Sequence, residues 1–278
     1  MDNFISQALI REQVKNALQE DLGYGDLTAA LVPADKHVEG QLIVRENAVL
    51  CGQNWFEEVF KQLNSEISVT WQYSDGDVLL PDQMVCSIAG KARDILTGER
   101  TAMNFLQTLS GTATVTRQYN NELKDSNTRL LDTRKTIPGL RSAQKYAVRC
   151  GSGFNHRHGL FDGVLIKENH IIAAGSIKQA VTAARNSIPH GLKIEVEVET
   201  LEEVQLALDA GADILLLDNM SLEMLHSTVS LNQGRAKLEV SGNVTLDNLK
   251  QLGQIGVDYI SVGAITKHLK ATDFSLRF

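Results

Sequence analysis

Six short apolar runs in this chain each end in residues equipped for chemistry. Arg129-Leu130-Leu131 leads into Asp132-Thr133-Arg134-Lys135, and Val164-Leu165-Ile166 leads into Lys167-Glu168-Asn169-His170. Ile194-Glu195-Val196 continues through Glu197 and Glu199, three carboxylates that a period of two places on one face of a strand. Ile214 to Leu217 ends in Asp218-Asn219, Leu238-Glu239-Val240 in Ser241-Gly242-Asn243, and Tyr259 to Val262 in Gly263-Ala264. Polar, charged or small groups behind every run point to one site, built to take anions and suited to a metal ion.

The chemistry divides by residue type. Arg134, Lys135, Arg157 and Lys167 are candidate anion holders, the arginines offering a planar fork that matches a carboxylate. Glu197 and Asp218, on adjacent strand ends, are the pair suited to Mg²⁺, which takes few protein ligands and several phosphate oxygens. A salt bridge to Lys135 or Lys167 is the alternative for these carboxylates. Ser241, Gly242 and Asn243, with Val262, Gly263 and Ala264, read as a phosphate cradle of backbone N–H groups. Simple turn chemistry is the alternative for the two glycines. His156-Arg157-His158 reads as an anion-binding pair plus a structural His158, because neighbouring histidines rarely share one ion.

The elements that must position these groups alternate in type. Helix-like stretches at 177–187, 201–210 and 246–254 separate the apolar runs, the repeated βα pattern of a parallel sheet. Six units with short connections favour a closed or nearly closed barrel with fewer than the usual eight strands, whose strand C-termini carry the site. An open doubly wound sheet is the alternative, but no G-x-G-x-x-G follows any strand. The preceding part reads as a compact α+β unit. Helices are predicted over 5–20 and 53–63, strands over 38–50, 67–73 and 84–89, and a long helix from 94 to 123 interrupted at Ser110-Gly111. The domain division is 1–112 and 113–268, with a tail at 269–278.

Composition excludes several classes. With 43% hydrophobic and 22% charged residues the chain is globular, and no apolar run is long enough to span a membrane. A net charge of −7 argues against nucleic acid or an anionic membrane as the main partner. Against that acidic background, Arg129 to Glu168 carries eight basic residues and three acidic ones. Arg141, Lys145 and Arg149 within it also fit an ordinary helix surface. Cys51, Cys86 and Cys150 are odd in number and far apart, which suits a reducing cytoplasm. The N-terminus lacks the features of a signal peptide.

Longer stretches carry a resemblance. ERTAMNFLQTLSG (99–111), the run from Leu131 to His170, IEVEVET (194–200), GADILLLDN (211–219), EVSGNVT (239–245) and YISVGAITK (259–267) are similar to quinolinate phosphoribosyltransferases. The likeness extends to EDLGYGDLT (20–28) and the closing DFSLRF. It implies transfer of phosphoribose from phosphoribosyl pyrophosphate to quinolinate with decarboxylation, in a Mg²⁺-dependent homodimer with shared sites. It also implies an α/β fold with an N-terminal α+β sandwich domain and an incomplete α/β barrel of about six to seven strands, and a tail that returns to the N-terminal domain.

By the same resemblance, Arg134, Arg157 and Lys167 hold the pyridine carboxylates, with Thr133 and His156 nearby. Lys135 and Arg100 meet phosphate oxygens, Arg100 in the neighbouring subunit's site, and Glu197 and Asp218 hold the metal. Arg100, Lys135, Lys167, Glu197 and Asp218 are thus the expected catalytic set. Asn243 departs from the family's usual Gly, but Asn tolerates positive φ.

Three rival activities remain open at this point. A Schiff-base lyase would use Lys167 as an amine nucleophile. A phosphosugar sensor would keep the 241–243 turn without needing Glu197, Asp218 and Arg157 together. A related pyrophosphorylase would use another nitrogen base.

Overall fold

A computed structural model describes residues 5–278 of the chain. From the N-terminus come α1 (Gln7–Leu22), β1 (His37–Val44), β2 (Ala48–Val49), α2 (Gln53–Leu63), β3 (Ser68–Trp71) and β4 (Val78–Leu79). Then follow β5 (Met84–Lys91), α3 (Ala92–Glu122), β6 (Arg129–Leu131), α4 (Arg141–Cys150), β7 (Val164–Ile166) and α5 (Glu168–Ala174). The chain continues with α6 (Ile177–Ser187), β8 (Ile194–Val198), α7 (Leu201–Asp209), β9 (Ile214–Asp218) and α8 (Leu222–Asn232). It ends with β10 (Lys237–Ser241), α9 (Leu246–Gly253), β11 (Tyr259–Ser261), the short α10 (Ala264–Lys267) and β12 (Phe274–Arg277).

Two compact units divide these elements. The first takes residues up to Arg117, Thr136–Ser152 and Ala264–Phe278; the second takes Gln118–Lys135 and Gly153–Gly263. The buried face of α4, with Ala143, Ala147 and Cys150, belongs to the same core as Trp55, Phe56 and Leu106, so the segment after Lys135 joins the first unit. Of the basic residues for which a helix surface was one of two readings, Lys145 is fully buried and Arg149 is exposed.

In the first unit, β12-β1-β5-β3 form an antiparallel sheet, with the C-terminal strand paired to β1 from Gln41↔Arg277 to Val44↔Phe274. Helix α2 starts where the Asp75 carboxylate accepts the N–H groups of Gly52 and Gln53 at 3.0 and 3.3 Å, a cap supplied from a distant loop. Its buried face of Trp55, Phe56, Val59 and Phe60 follows the helical repeat.

Helix α3 runs unbroken through Ser110-Gly111, where an interruption was expected. The buried Ser110 hydroxyl accepts the Cys51 N–H at 3.0 Å, and a Cβ on Gly111 would lie 2.2 Å from the Lys270 carbonyl. The two small residues make room for neighbouring backbone rather than ending the helix.

The second unit is a parallel sheet in the order β6-β11-β10-β9-β8-β7, with helices between strands. The outermost strands β6 and β7 do not pair with each other, so the barrel is incomplete. Phe154 adds one parallel bridge to Leu131 beyond β6. Helices α6, α7 and α8 start at Ser176, Thr200 and Ser221, whose hydroxyls accept N–H groups of the first turn. The apolar residues Val196, Val198, Leu215, Leu217, Val240 and Ile260 alternate along their strands with a second, largely polar set. No described helix is long and apolar enough to cross a membrane.

Candidate active site

The polar set shares one face of the sheet by register. Leu165 pairs with Glu195, Glu197 with Leu216, Leu216 with Glu239, and Ser241 with Asp218. A period of two then places Glu195, Glu197, Asp218, Glu239 and Ser241 on that face. On this face burial falls towards the C-terminus along β8 and β10. Glu195 is buried, Glu197 half-buried and Glu199 exposed, while Glu239 is buried and Ser241 half-buried. The predicted carboxylate row is therefore a gradient from a closed floor to an open mouth.

Of the expected residues, the second unit holds Thr133, Arg134, Lys135, His156, Arg157, Lys167, Glu197, Asp218, Ser241, Gly242, Asn243, Val262 and Gly263. Arg100 is an exposed residue of α3 in the first unit, and Ala264 opens α10 there.

Lys167 pairs directly with Glu197 across β7 and β8, so the salt-bridge alternative is the arrangement Glu197 adopts here. An ion-paired ammonium suits an anion holder better than an amine nucleophile. The Lys167 N–H is in turn received by Nδ1 of His170 at 3.0 Å, which caps α5. Asp218 accepts the side-chain amide of Asn219 at 2.8 Å through one oxygen. Two half-buried carboxylates on one face, offering oxygen donors alone, fit a hard divalent cation.

The turn after β10 is held open by its residue types. Gly242 has φ +82, and a Cβ there would lie 2.2 Å from Oδ1 of Asn219. Asn243 adopts φ +50, as its place in a glycine position required. Its carbonyl accepts the Asn248 side-chain amide at 2.9 Å, which fixes the turn against the start of α9. A Cβ on Gly263 would lie 2.9 Å from the Lys135 side chain, so this glycine lets the lysine stem cross the end of β11.

The loop from Phe154 to Gly163 carries the remaining cation. Arg157 donates to the Gly163 carbonyl at 3.1 Å. Burial first, and then the neighbouring Arg134 guanidinium, push the Arg157 pKa below its ordinary value, with Glu195 and Asp162 opposing. Two guanidinium groups crowded in this way offer several donors that a multiply charged anion could use. His158 donates its backbone N–H to Asp162 at 2.8 Å, consistent with a structural place.

Three residues that hold this site lay outside the expected set, although Asp132 and Glu195 were visible at their strands in the sequence. Asp132 is fully buried and accepts the Asn155 amide at 2.6 Å and the His156 N–H at 2.9 Å. Glu195 and Glu239 flank His156 from β8 and β10. The available signal was a glutamate inside each of two apolar runs, Ile-Glu-Val and Leu-Glu-Val, where an ordinary core strand has no charge.

Comparison with known proteins gives one consistent family. Residues 112–277 match the family model described as quinolinate phosphoribosyl transferase, C-terminal domain, and residues 26–110 match the N-terminal domain model. The chain is similar to a probable nicotinate-nucleotide pyrophosphorylase (carboxylating) of Bacillus subtilis, 38% identical over 267 residues, covering 96% of this chain and 92% of that one. It is also 38% identical over 288 residues to the chloroplastic nicotinate-nucleotide pyrophosphorylase (carboxylating) of Arabidopsis thaliana, covering 96% and 82%. The solved structure of the nicotinate-nucleotide pyrophosphorylase from Francisella tularensis superposes with a TM-score of 0.93 at 47% identity, over 98% of this chain and 97% of that one.

Proposed function

We propose how this chain, which belongs to the quinolinate phosphoribosyltransferase family, divides that family's reaction among its own residues. Its activity is carboxylating nicotinate-nucleotide pyrophosphorylase activity, a phosphoribosyl transfer in NAD biosynthesis. Quinolinate and phosphoribosyl pyrophosphate give nicotinate mononucleotide, pyrophosphate and carbon dioxide. The observation that carries the assignment of roles is the crowding of the Arg134 and Arg157 guanidiniums in the unit that also holds the Lys167–Glu197 pair and Asp218.

Arg134, Arg157 and Lys167 hold the two pyridine carboxylates, with Thr133 and His156 at the edge of the ring. Lys135 meets the pyrophosphate oxygens, joined by Arg100 from a second copy in a homodimer. Ser241, Gly242 and Asn243, with Val262, Gly263 and Ala264, take the 5-phosphate through backbone N–H groups. Glu197 and Asp218 would hold Mg²⁺, which when bound supplies positive charge for the leaving pyrophosphate. Lys167 then exchanges its pairing with Glu197 for the substrate carboxylate.

With both substrates seated, the pyridine nitrogen attacks C1 of the ribose, and pyrophosphate departs with the C1–O bonding electrons. The quaternised ring next releases its 2-carboxylate as carbon dioxide. The electrons of the broken C–C bond stay on C2, stabilised by the positive nitrogen, and C2 takes a proton from solvent. The chain contributes placement and fixed charge, and no side-chain nucleophile is required. The three cysteines are free and buried, which suits a reducing compartment such as the cytoplasm.

The test is substrate preference under metal control. Quinolinate should be consumed with one equivalent each of pyrophosphate and carbon dioxide, and nicotinate should be a poor substrate. Chelation should stop turnover, and Mg²⁺ or Mn²⁺ should restore it. Equal turnover of nicotinate would remove Arg134, Arg157 and Lys167 from the dicarboxylate pocket. Full activity in excess chelator would remove the metal role from Glu197 and Asp218.

A further inference from the structure

Beneath the mouth of the second unit lie two buried carboxyl groups that the reaction above does not use. Glu195 is 4% exposed and Glu239 1% exposed, both on the polar face of the sheet. Oε2 of Glu195 lies 3.1 Å from Nε2 of His156, and Oε1 of Glu239 lies 3.6 Å from the same nitrogen. Oε1 of each glutamate has no hydrogen-bond partner among the described residues. Two buried carboxyl groups around one ring edge are costly unless the arrangement has a use.

The other edge of the ring shows what that use is. Nδ1 of His156 accepts the backbone N–H of Arg157 at 2.7 Å, so Nδ1 carries no proton. The ring proton therefore sits on Nε2 and points at the two glutamates. The backbone N–H of His156 is held separately by Asp132 at 2.9 Å. One ring thus links the barrel floor to the amide of Arg157, the residue whose guanidinium sits beside Arg134.

We propose that Glu195 and Glu239 are positioning residues that fix the Nε2–H tautomer of His156 and, through its Nδ1, the backbone that aims Arg157 at the pyridine dicarboxylate. The inference rests on the substrate assignment made above. Glu239 keeps a proton into the neutral range. Burial first, then Glu195, push its pKa up to about 7, with Asp132 adding to the rise and His156 and Ser261 opposing it. A neutral Glu239 leaves the floor with less negative charge beneath the two guanidiniums, so it competes less with a dianionic ligand. The same three side chains could be mistaken for a metal site, since their ligand atoms lie within 4.8 Å of one another. A cation there would have to displace the Nε2 proton directly below two guanidinium groups.

Two readouts test this. ¹H–¹⁵N correlation of the histidine rings near pH 7 should show His156 with a bare Nδ1 and a protonated Nε2 in the wild-type protein. A protonated Nδ1 there overturns the proposal whether or not quinolinate proves to be the substrate, which separates its failure from failure of the assignment. Glu239→Met fills the same space without a carboxyl group. A merely structural carboxyl would tolerate that change, because apolar replacement of buried charge is often neutral or stabilising.

The proposal expects Glu239→Met to fold, to lose the single tautomer, and to raise the quinolinate KM by about tenfold with the phosphoribosyl pyrophosphate KM unchanged. Glu239→Gln, which keeps a polar acceptor, should recover most of that loss. Unchanged quinolinate KM in folded Glu239→Met overturns the proposal. So does zinc at one equivalent in the purified wild type that Glu239→Met abolishes. If Glu239→Met does not fold, the wild-type ring spectrum decides alone.

Discussion

The side-chain amide of Asn243 donates to Oδ1 of Asn219 across 2.9 Å, tying the turn after β10 to the end of β9. A glycine at 243 would satisfy the backbone φ of +50 but could not make this bond. The same Asn219 oxygen would collide with a Cβ at Gly242, so it lies against the backbone of the turn as well. Asn219→Ala should therefore loosen the 5-phosphate cradle. The KM for phosphoribosyl pyrophosphate should rise about five- to tenfold, in line with one lost polar bond, while the quinolinate KM stays put. Equal KM values for wild type and variant would mean that the turn holds its shape without the clasp.

The crowded guanidiniums give a second expectation. Arg134→Ala and Arg157→Ala should each weaken quinolinate binding by about 2–4 kcal/mol, the range for breaking a charged hydrogen bond in a desolvated pocket. Calorimetric titration with quinolinate measures this directly. Nicotinate, with one carboxylate, should lose less in at least one of the two variants. Undiminished quinolinate affinity in both would place the pyridine pocket elsewhere.

Much of the site's rim was legible because it lies at strand ends. Asp218 follows four apolar residues, and Lys167 follows three, so their positions at the mouth needed only the βα pattern. The floor was not legible. Glu195 and Glu239 lie on strands that are not neighbours, β8 and β10 with β9 between, and a side chain from the Phe154–Gly163 loop meets both. Linear sequence does not encode how far a sheet curls, and that curl is what makes the encounter. The place of Lys145 stayed open in the sequence for a related reason. Its helix has core residues at Ala143, Ala147 and Cys150, and a charged residue inside such a face is read as surface until its surroundings are known. The continuous α3 was missed because Ser and Gly together usually break a helix, and the close approach of residues 270–271 that requires them is more than 150 positions away in the chain.

Glu239 also makes stability depend on pH, in a direction that follows from its raised pKa. Its ordinary value is 4.5, and in the folded protein it is pushed up to about 7. Below about pH 4.5 the group is protonated in both states and its contribution is fully present. Between those values the unfolded chain has ionised while the folded protein retains the proton, so stability falls as pH rises through about 7, then levels off. The loss is on the order of 3 kcal/mol for one such group. Glu239→Gln lacks this contribution. Urea unfolding at pH 5 and pH 8 should therefore show the stability difference between wild type and Glu239→Gln shifting against the wild type at the higher pH. Parallel stability curves would show that Glu239 ionises normally.

Arg100 offers the sharpest test of how the site is completed. It is exposed on α3 in the first unit, while Lys135 closes a strand end in the second. The proposed homodimer assigns Arg100 to the neighbouring chain's barrel, and subunit mixing distinguishes that from action within one chain. Arg100→Ala and Lys135→Ala, each inactive alone, would be unfolded together and refolded. If Arg100 acts across the dimer, a mixed dimer has one site with both defects and one site with none. Random pairing makes about half the dimers mixed, so about a quarter of wild-type activity should return. If Arg100 acts within its own chain, every site keeps one defect and no activity returns. Mass spectrometry of the intact dimers confirms that mixing has occurred, so an inactive mixture with mixed dimers present would confine Arg100 to its own chain.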